Sequence, residues 1–153
     1  MDPSPQPPKR QRLFHATPPW VREGEVFFVT ECCARRSVNQ LAHPKAFAVM
    51  TGALEHNIHS SRLWAELLLV MPDHLHALMS FPPGEQMEKV VRNWKRFVAK
   101  QAGMIWQPGF FDHRLRSNES YEEKAHYIRM NPVRAGLATA PNDWRYVWEP
   151  RGS

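Results

Sequence analysis

The sequence predicts an α+β fold, an antiparallel sheet with two helices on one face and a further helix following it. Two observations lead there. Apolar residues alternate with period two in short runs and recur at spacings of three and four in longer ones. These runs succeed one another in the order β-α-β-β-α-β-α. A length of 153 residues suits one domain with a real hydrophobic core.

Residues 25–33 (EVFFVTECC) are β-branched and aromatic, and read as a strand. Residues 44–59 place Phe47, Met50, Leu54 and Ile58 at helical spacing, with Pro44 in the first turn. Residues 63–71 (LWAELLLVM) form a strongly apolar strand, and Pro72-Asp73 marks a turn. Residues 74–81 (HLHALMSF) return as a strand with His74, His76 and Leu78 on one face. Pro82-Pro83-Gly84 breaks the chain. Over 85–103, Met87, Val90, Val91, Trp94 and Val98 draw the apolar stripe of a helix. Residues 110–115 form a short strand. Ser117-Asn118 caps a last helix, with Glu119, Glu122 and Glu123 in its first turns and Arg129 near its end, as the helix dipole favours. The first six elements match a split βαβ, or ferredoxin-like, sandwich. Residues 1–12 read as a flexible basic Pro-rich arm, 13–140 as the folded domain, and 141–153 as an irregular tail beginning near Trp144-Arg145-Tyr146.

Composition narrows the function. No apolar window approaches the ~18 residues of a membrane span, and the first residues lack the apolar core of a signal peptide. A soluble, cytoplasmic protein is expected. Cys32 and Cys33 are adjacent, which excludes a disulfide framework and a Cys-rich zinc site. Lys and Arg total 20 against 15 acids, a net charge of +5, which favours an anionic partner. Six tryptophans and eight phenylalanines offer rings on which unpaired bases can stack.

Two groups of residues could carry chemistry. On a strand, His74 and His76 point to the same side, so both imidazoles can reach one metal ion. Two unrelated half-buried histidines would look the same, since the chain has eight. Tyr127 and Asn131, four apart, share a helix face, where an amide oxygen could be a third ligand beside a phenol. The plainer alternative is a helix stop and restart, with Asn131 as N-cap and Pro132 in the next first turn, and Tyr127 in the core.

Taken together, the motifs identify a family. Residues 70–76 (VMPDHLH) resemble the His-hydrophobic-His motif of single-strand transposases that use one tyrosine. Residues 106–113 (WQPGFFDH) and 127–137 (YIRMNPVRAGL) resemble those of REP-associated tyrosine transposases, bacterial relatives of insertion-sequence transposases. Pro19-Trp20 and the strand Phe27-Phe28-Val29-Thr30 fit as well, so the resemblance runs from about Leu13 to Tyr146. It implies a ferredoxin-like fold with the histidines on the central sheet. By the same resemblance Tyr127 matches the nucleophile, and His74, His76 and Asn131 match the metal positions. Relatives outside this branch often carry glutamine where Asn131 stands.

The resemblance implies metal-dependent nicking and rejoining of single-stranded DNA through a 5′-phosphotyrosine intermediate. The partner would be the hairpin of a repeated extragenic palindrome with its flanking strand, in the bacterial nucleoid. A divalent ion, Mg²⁺ or Mn²⁺, would offset the weakness of a phenol as nucleophile; nitrogen ligands favour Mn²⁺ and cellular abundance favours Mg²⁺. Tyr121 and Tyr146 are weaker nucleophile candidates, Tyr121 lying ~120° around the helix from Tyr127. Asp112 and His113 could position substrate or simply pack. Lys9, Arg10 and Arg12 of the arm, Lys95, Arg96 and Lys100 of the long helix, and Arg114, Arg116 and Arg134 are candidate DNA-backbone contacts. A monomer is expected, with a helix-exchanged dimer as the alternative. Two rivals remain: a domesticated hairpin-DNA-binding protein with little or no cleavage, and a phosphoesterase that uses water.

Overall fold

In the computed structural model, residues 17–23, 25–116 and 121–151 are described. The arm residues Lys9, Arg10 and Arg12 and the cap Ser117-Asn118 lie outside them. A short helix not expected from the sequence, α1 (Pro19–Glu23), opens on a proline suited to a first helical turn. It is followed by β1 (Phe27–Cys32), α2 (Pro44–His59), β2 (Trp64–Val70), β3 (His74–Ser80), α3 (Met87–Ala102) and β4 (Phe111–Arg114). Then come α4 (Tyr121–Arg129), α5 (Asn131–Arg134) and, past a 3₁₀ turn at Pro141–Asp143, β5 (Val147–Trp148).

Local chemistry sets these boundaries. His43 caps α2 by accepting from the Ala46 N–H through Nδ1, and Pro44 occupies the first turn, where a missing N–H costs nothing. α3 ends at Gly103, whose φ of 69° lies in the left-handed region. Among the described residues no helix is long and apolar enough to cross a membrane.

The sheet is antiparallel throughout, in the order β4-β1-β3-β2-β5. Its first four strands have the expected split βαβ arrangement. The fifth departs from the expected irregular tail. Residues 147–148 pair with Leu68 and Leu69, the Trp144 indole N–H donates to the Val70 carbonyl, and Trp148 is fully buried. The alternation of Trp144, Tyr146 and Trp148 is a strand pattern, but too short to stand out beside Pro141 and Pro150.

Both faces of the sheet are covered, by different elements. On one, α2 and α3 pack Met50, Leu54, Trp94 and Val98 against Val29, Leu68, Val70, Leu75 and Ala77. On the other, α4 sets Ala125 and Ile128 against Leu67, Leu69, Met71 and Leu78. Double coverage explains why β2 reads as a continuous apolar run. Burying Ile128 contributes roughly 1.5–3 kcal/mol and fixes the rotation of α4. Tyr127, the preceding residue, is thereby turned to a half-exposed flank, 53% exposed.

Candidate functional site

β3 places Leu75, Ala77 and Met79 in the core beneath α2 and α3. His74 and His76 therefore point to the opposite face, with Leu78 and the tyrosine helix. Their ring centroids are 5.0 Å apart. Each imidazole is anchored through Nδ1. Asp73 Oδ1 accepts from His74 Nδ1 at 2.8 Å, and Thr30 Oγ1, directly across on β1, is hydrogen-bonded to His76 Nδ1 at 2.8 Å. Neither Nε2 has a protein partner among the described residues, so both remain available as ligands. For His76 this needs Nδ1–H to donate to the Thr30 hydroxyl, which accepts as readily as it donates. Such outer hydrogen bonds are how metal-binding histidines are oriented.

The electrostatics keep His76 neutral. Burial, then the charges of His74 and Arg134, push it down to about 4, so its lone pair is free at neutral pH. Burial opposes ionisation of Asp73. The Ser37 N–H, the His74 ring and the Arg36 guanidinium outweigh it and hold the carboxyl well below the usual range. Phe28 stacks on His76 with centroids 5.3 Å apart, closing the other side of the ring.

Asn131 does not cap α5. Met130 is the N-cap and Asn131 is the first helical residue, with the Arg134 N–H bonded to the Met130 carbonyl. The restart begins one residue earlier than Asn-Pro suggests, because α4 and α5 run on with little break. The Asn131 amide is thus not spent on a cap, and its Nδ2 is buried without a partner. The two open imidazole nitrogens suit a divalent ion that also takes phosphate oxygen, whereas the orphaned Asn131 Nδ2 is a hydrogen-bond donor, an amide binding metal only through its oxygen. Among the described residues no group of three or more His, Cys, Asp or Glu gathers, so no rival site of that kind appears.

Two cations approach the Tyr127 ring. The guanidinium carbon of Arg134 is 4.2 Å from its ring centroid, and Lys124 Nζ is 5.7 Å from it. Arg134 also donates to the Tyr127 carbonyl at 2.6 Å. Tyr121 is half-buried, and burial, then Glu66, pushes its phenol up to about 12, which disfavours it as a nucleophile. Tyr146 is engaged against Phe47 and Trp144. On β4, the edge strand, Phe111 pairs with Thr30 and His113 with Phe28, which puts both on the histidine face. Phe111 is 69% exposed there.

The candidate DNA contacts divide. Arg134 is at the site. Arg114 is exposed on β4, paired with Glu25 at 2.7 Å, and Arg116 follows it. Arg96 and Lys100 are exposed on α3, across the sheet from Tyr127. Lys95 is a correction: it is buried, and its ammonium donates to the Gln107 and Gly109 carbonyls beside the buried Glu31. A helix stripe cannot reveal that a neighbouring loop folds over one of its polar positions. Sequence reasoning misses Thr30, Asp73 and Lys124 as parts of the site. The spacing of Lys124, three before Tyr127, is the one signal that points to it.

No protein-family model matches the chain. The REP-associated tyrosine transposase of Escherichia coli (strain K12) is 31% identical over 81 residues, 51% of this chain and 49% of that protein. A Haemophilus influenzae protein named for the same family is 29% identical over 97 residues, 52% of this chain and 54% of its own. The chain thus spans about half the length of the curated relatives it matches. Its fold matches the structure of a REP-associated tyrosine transposase bound to a REP hairpin, with a TM-score of 0.72, 24% identity, and 81% and 76% of the two chains covered. A structure described as a transposase from Deinococcus radiodurans matches with a TM-score of 0.51 at 16% identity, covering 74% of this chain and 91% of that one. The resemblance read from the motifs therefore holds in sequence, and the expected architecture holds in the fold.

Proposed function

We propose that this chain is a REP-associated tyrosine transposase, a metal-dependent endonuclease and strand transferase acting on single-stranded DNA at hairpins in the bacterial cytoplasm. One observation carries the reading: an exposed tyrosine lies on the helix that covers the same sheet face as two oriented imidazoles. The family names of the relatives support it, as does the REP hairpin held by the protein whose fold matches.

The chemistry follows from the residues. The Tyr127 phenol oxygen attacks the scissile phosphorus, forming a Tyr–O–P bond and breaking the bond to the 3′-oxygen. The phenol proton leaves, and the departing 3′-oxygen takes one up. A 5′-phosphotyrosine and a free 3′-hydroxyl result, and the covalent link lets the strand be rejoined without an external energy source. His74, His76 and Asn131 would hold Mg²⁺ or Mn²⁺, which when bound supplies Lewis acidity at the phosphate and the leaving oxygen. Asp73 and Thr30 orient the two imidazoles. Lys124 and Arg134 bring positive charge to the nucleophile, and Phe111 offers a ring to an unpaired base.

The test is incubation with a single-stranded hairpin oligonucleotide and Mn²⁺. A protein–DNA adduct that survives boiling in detergent is expected. Nicking without an adduct would indicate a water-using phosphoesterase, and binding without nicking a hairpin-binding protein.

A further inference from the structure

We propose that Arg134 is the residue that grips the scissile phosphate, and that the tyrosine ring itself is the platform that aims it. This rests on the function proposed for the site and adds a role to one residue within it.

Arg134 is exposed, yet fixed from two directions. Its guanidinium lies over the Tyr127 ring at 4.2 Å, and Nη2 donates to the Tyr127 carbonyl at 2.6 Å. Both anchors belong to the nucleophilic residue, so cation and nucleophile move as one body. Among the described residues the guanidinium meets no carboxylate, so its charge is not spent within the protein. Arg36, Arg114 and Arg129 differ: each is paired with an acid. A guanidinium has five N–H donors in a fixed fork, and one contact to a carbonyl leaves the others for phosphate oxygens.

Geometry restricts which phosphate. In-line attack needs phosphorus about 3–3.5 Å from the phenol oxygen. A phosphate seated there is within a side chain's reach of a cation 4.2 Å above the same ring. Negative charge spreads over the phosphate oxygens as the phosphorus becomes five-coordinate, and a fixed donor fork beside it costs no reorganisation. Lys124 Nζ, at 5.7 Å from the Tyr127 ring and 5.3 Å from that of Phe28, has one mobile point charge and no backbone anchor here.

The experiment uses the full chain carrying Tyr127→Phe, which keeps the ring but cannot cut. The probe is a hairpin oligonucleotide with single-stranded flanks, in which one methylphosphonate is moved phosphate by phosphate. At one phosphate, neutralisation should weaken binding about tenfold when Arg134 is present and leave it unchanged when Arg134→Gln is added. That phosphate should be the one the wild type cuts with Mn²⁺. Coupling at no phosphate, coupling at a phosphate other than the cut, or equal loss of coupling with Lys124→Gln each overturns the assignment. Should Arg134→Gln lose its circular dichroism, Arg134→Lys serves in its place, with the coupling reduced. If a coupled phosphate is found but the wild type cuts nothing, the Arg134 contact stands as a binding contact and the enzymatic reading fails.

Discussion

Thr30 and His76 face each other across β1 and β3, with Oγ1 and Nδ1 2.8 Å apart. The pair fixes the ring in the orientation that leaves Nε2 open. Thr30→Val keeps the shape and β propensity and removes the hydroxyl. Mn²⁺ affinity should fall about 10- to 100-fold, as for other hydrogen bonds that orient metal-binding histidines. Calorimetric titration measures this directly; an unchanged affinity would show that the hydroxyl does not orient the ring.

Tyr127→Phe should abolish the covalent adduct while leaving hairpin affinity nearly unchanged, because it removes one oxygen from an exposed ring and keeps the seat for Arg134. Denaturing gels and a binding isotherm on the same preparation check both halves. A persistent adduct would move the nucleophile elsewhere.

Asn131→Ala should cost little stability in the absence of metal. Its Nδ2 has no partner, and a buried unpaired amide donor costs about 1–3 kcal/mol in the native state. The same variant should weaken Mn²⁺ binding, though less than the His74→Ala, His76→Ala double variant, because imidazole is the better ligand. Thermal melts and Mn²⁺ titrations should thus move independently. Wild-type Mn²⁺ affinity in the double variant would remove the metal assignment.

Glu31 offers a pH test on the opposite face of the sheet from the histidines. Burial pushes its carboxyl up from 4.5 to about 8, against the opposing charge of Lys95, and neither oxygen has a partner. A group whose pKa is raised by folding lends most stability below its ordinary value and loses it as pH rises. Wild-type melting temperature should therefore fall between pH 4.5 and about 8. Glu31→Gln, unable to ionise, should flatten that fall and be the more stable form at the upper end. Parallel slopes for the two proteins would contradict the assignment.

Trp148→Ala should destabilise by about 3–5 kcal/mol, the usual cost of emptying a fully buried tryptophan site. The residue is 1% exposed on β5, and its indole N–H donates to Glu55 Oε1 at 3.0 Å. Urea denaturation measures it. A loss under about 0.5 kcal/mol, the size of an ordinary surface substitution, would mean the last strand is not integral to the sheet.

Local pattern carried much of this protein into view. The two long helices follow from spacing, with Pro44 at the start of one and Gly103 at the end of the other. The histidine pair is legible because strand geometry alone puts residues two apart on one face. What local pattern could not supply was tertiary in origin. Lys95 sits among the polar positions of an amphipathic helix, and only the 107–109 loop folding back makes it buried. Asn131 stands before a proline, where the cap reading is the natural one, and continuity of α4 into α5 overrides it. Arg134 and Tyr127 are seven apart, two turns along one helical run, a pairing that becomes legible only once α4 is seen to continue into α5.

The alternation along β3 also makes the site vulnerable to a kind of error that substitution scans never sample. His74 and His76 share their strand with Leu75 and Ala77, which belong to the opposite core. Inserting or deleting one residue just before β3 would exchange the two sets. Imidazoles would be driven under α2 and α3, and leucine and alanine would face the tyrosine. Neither face could tolerate its new occupants, so the reading frame of this strand against β1 is shared property of the fold and the candidate site. Lineages of such a chain should accept length changes in the exposed 83–86 loop far more readily than a single-residue shift at Pro72-Asp73.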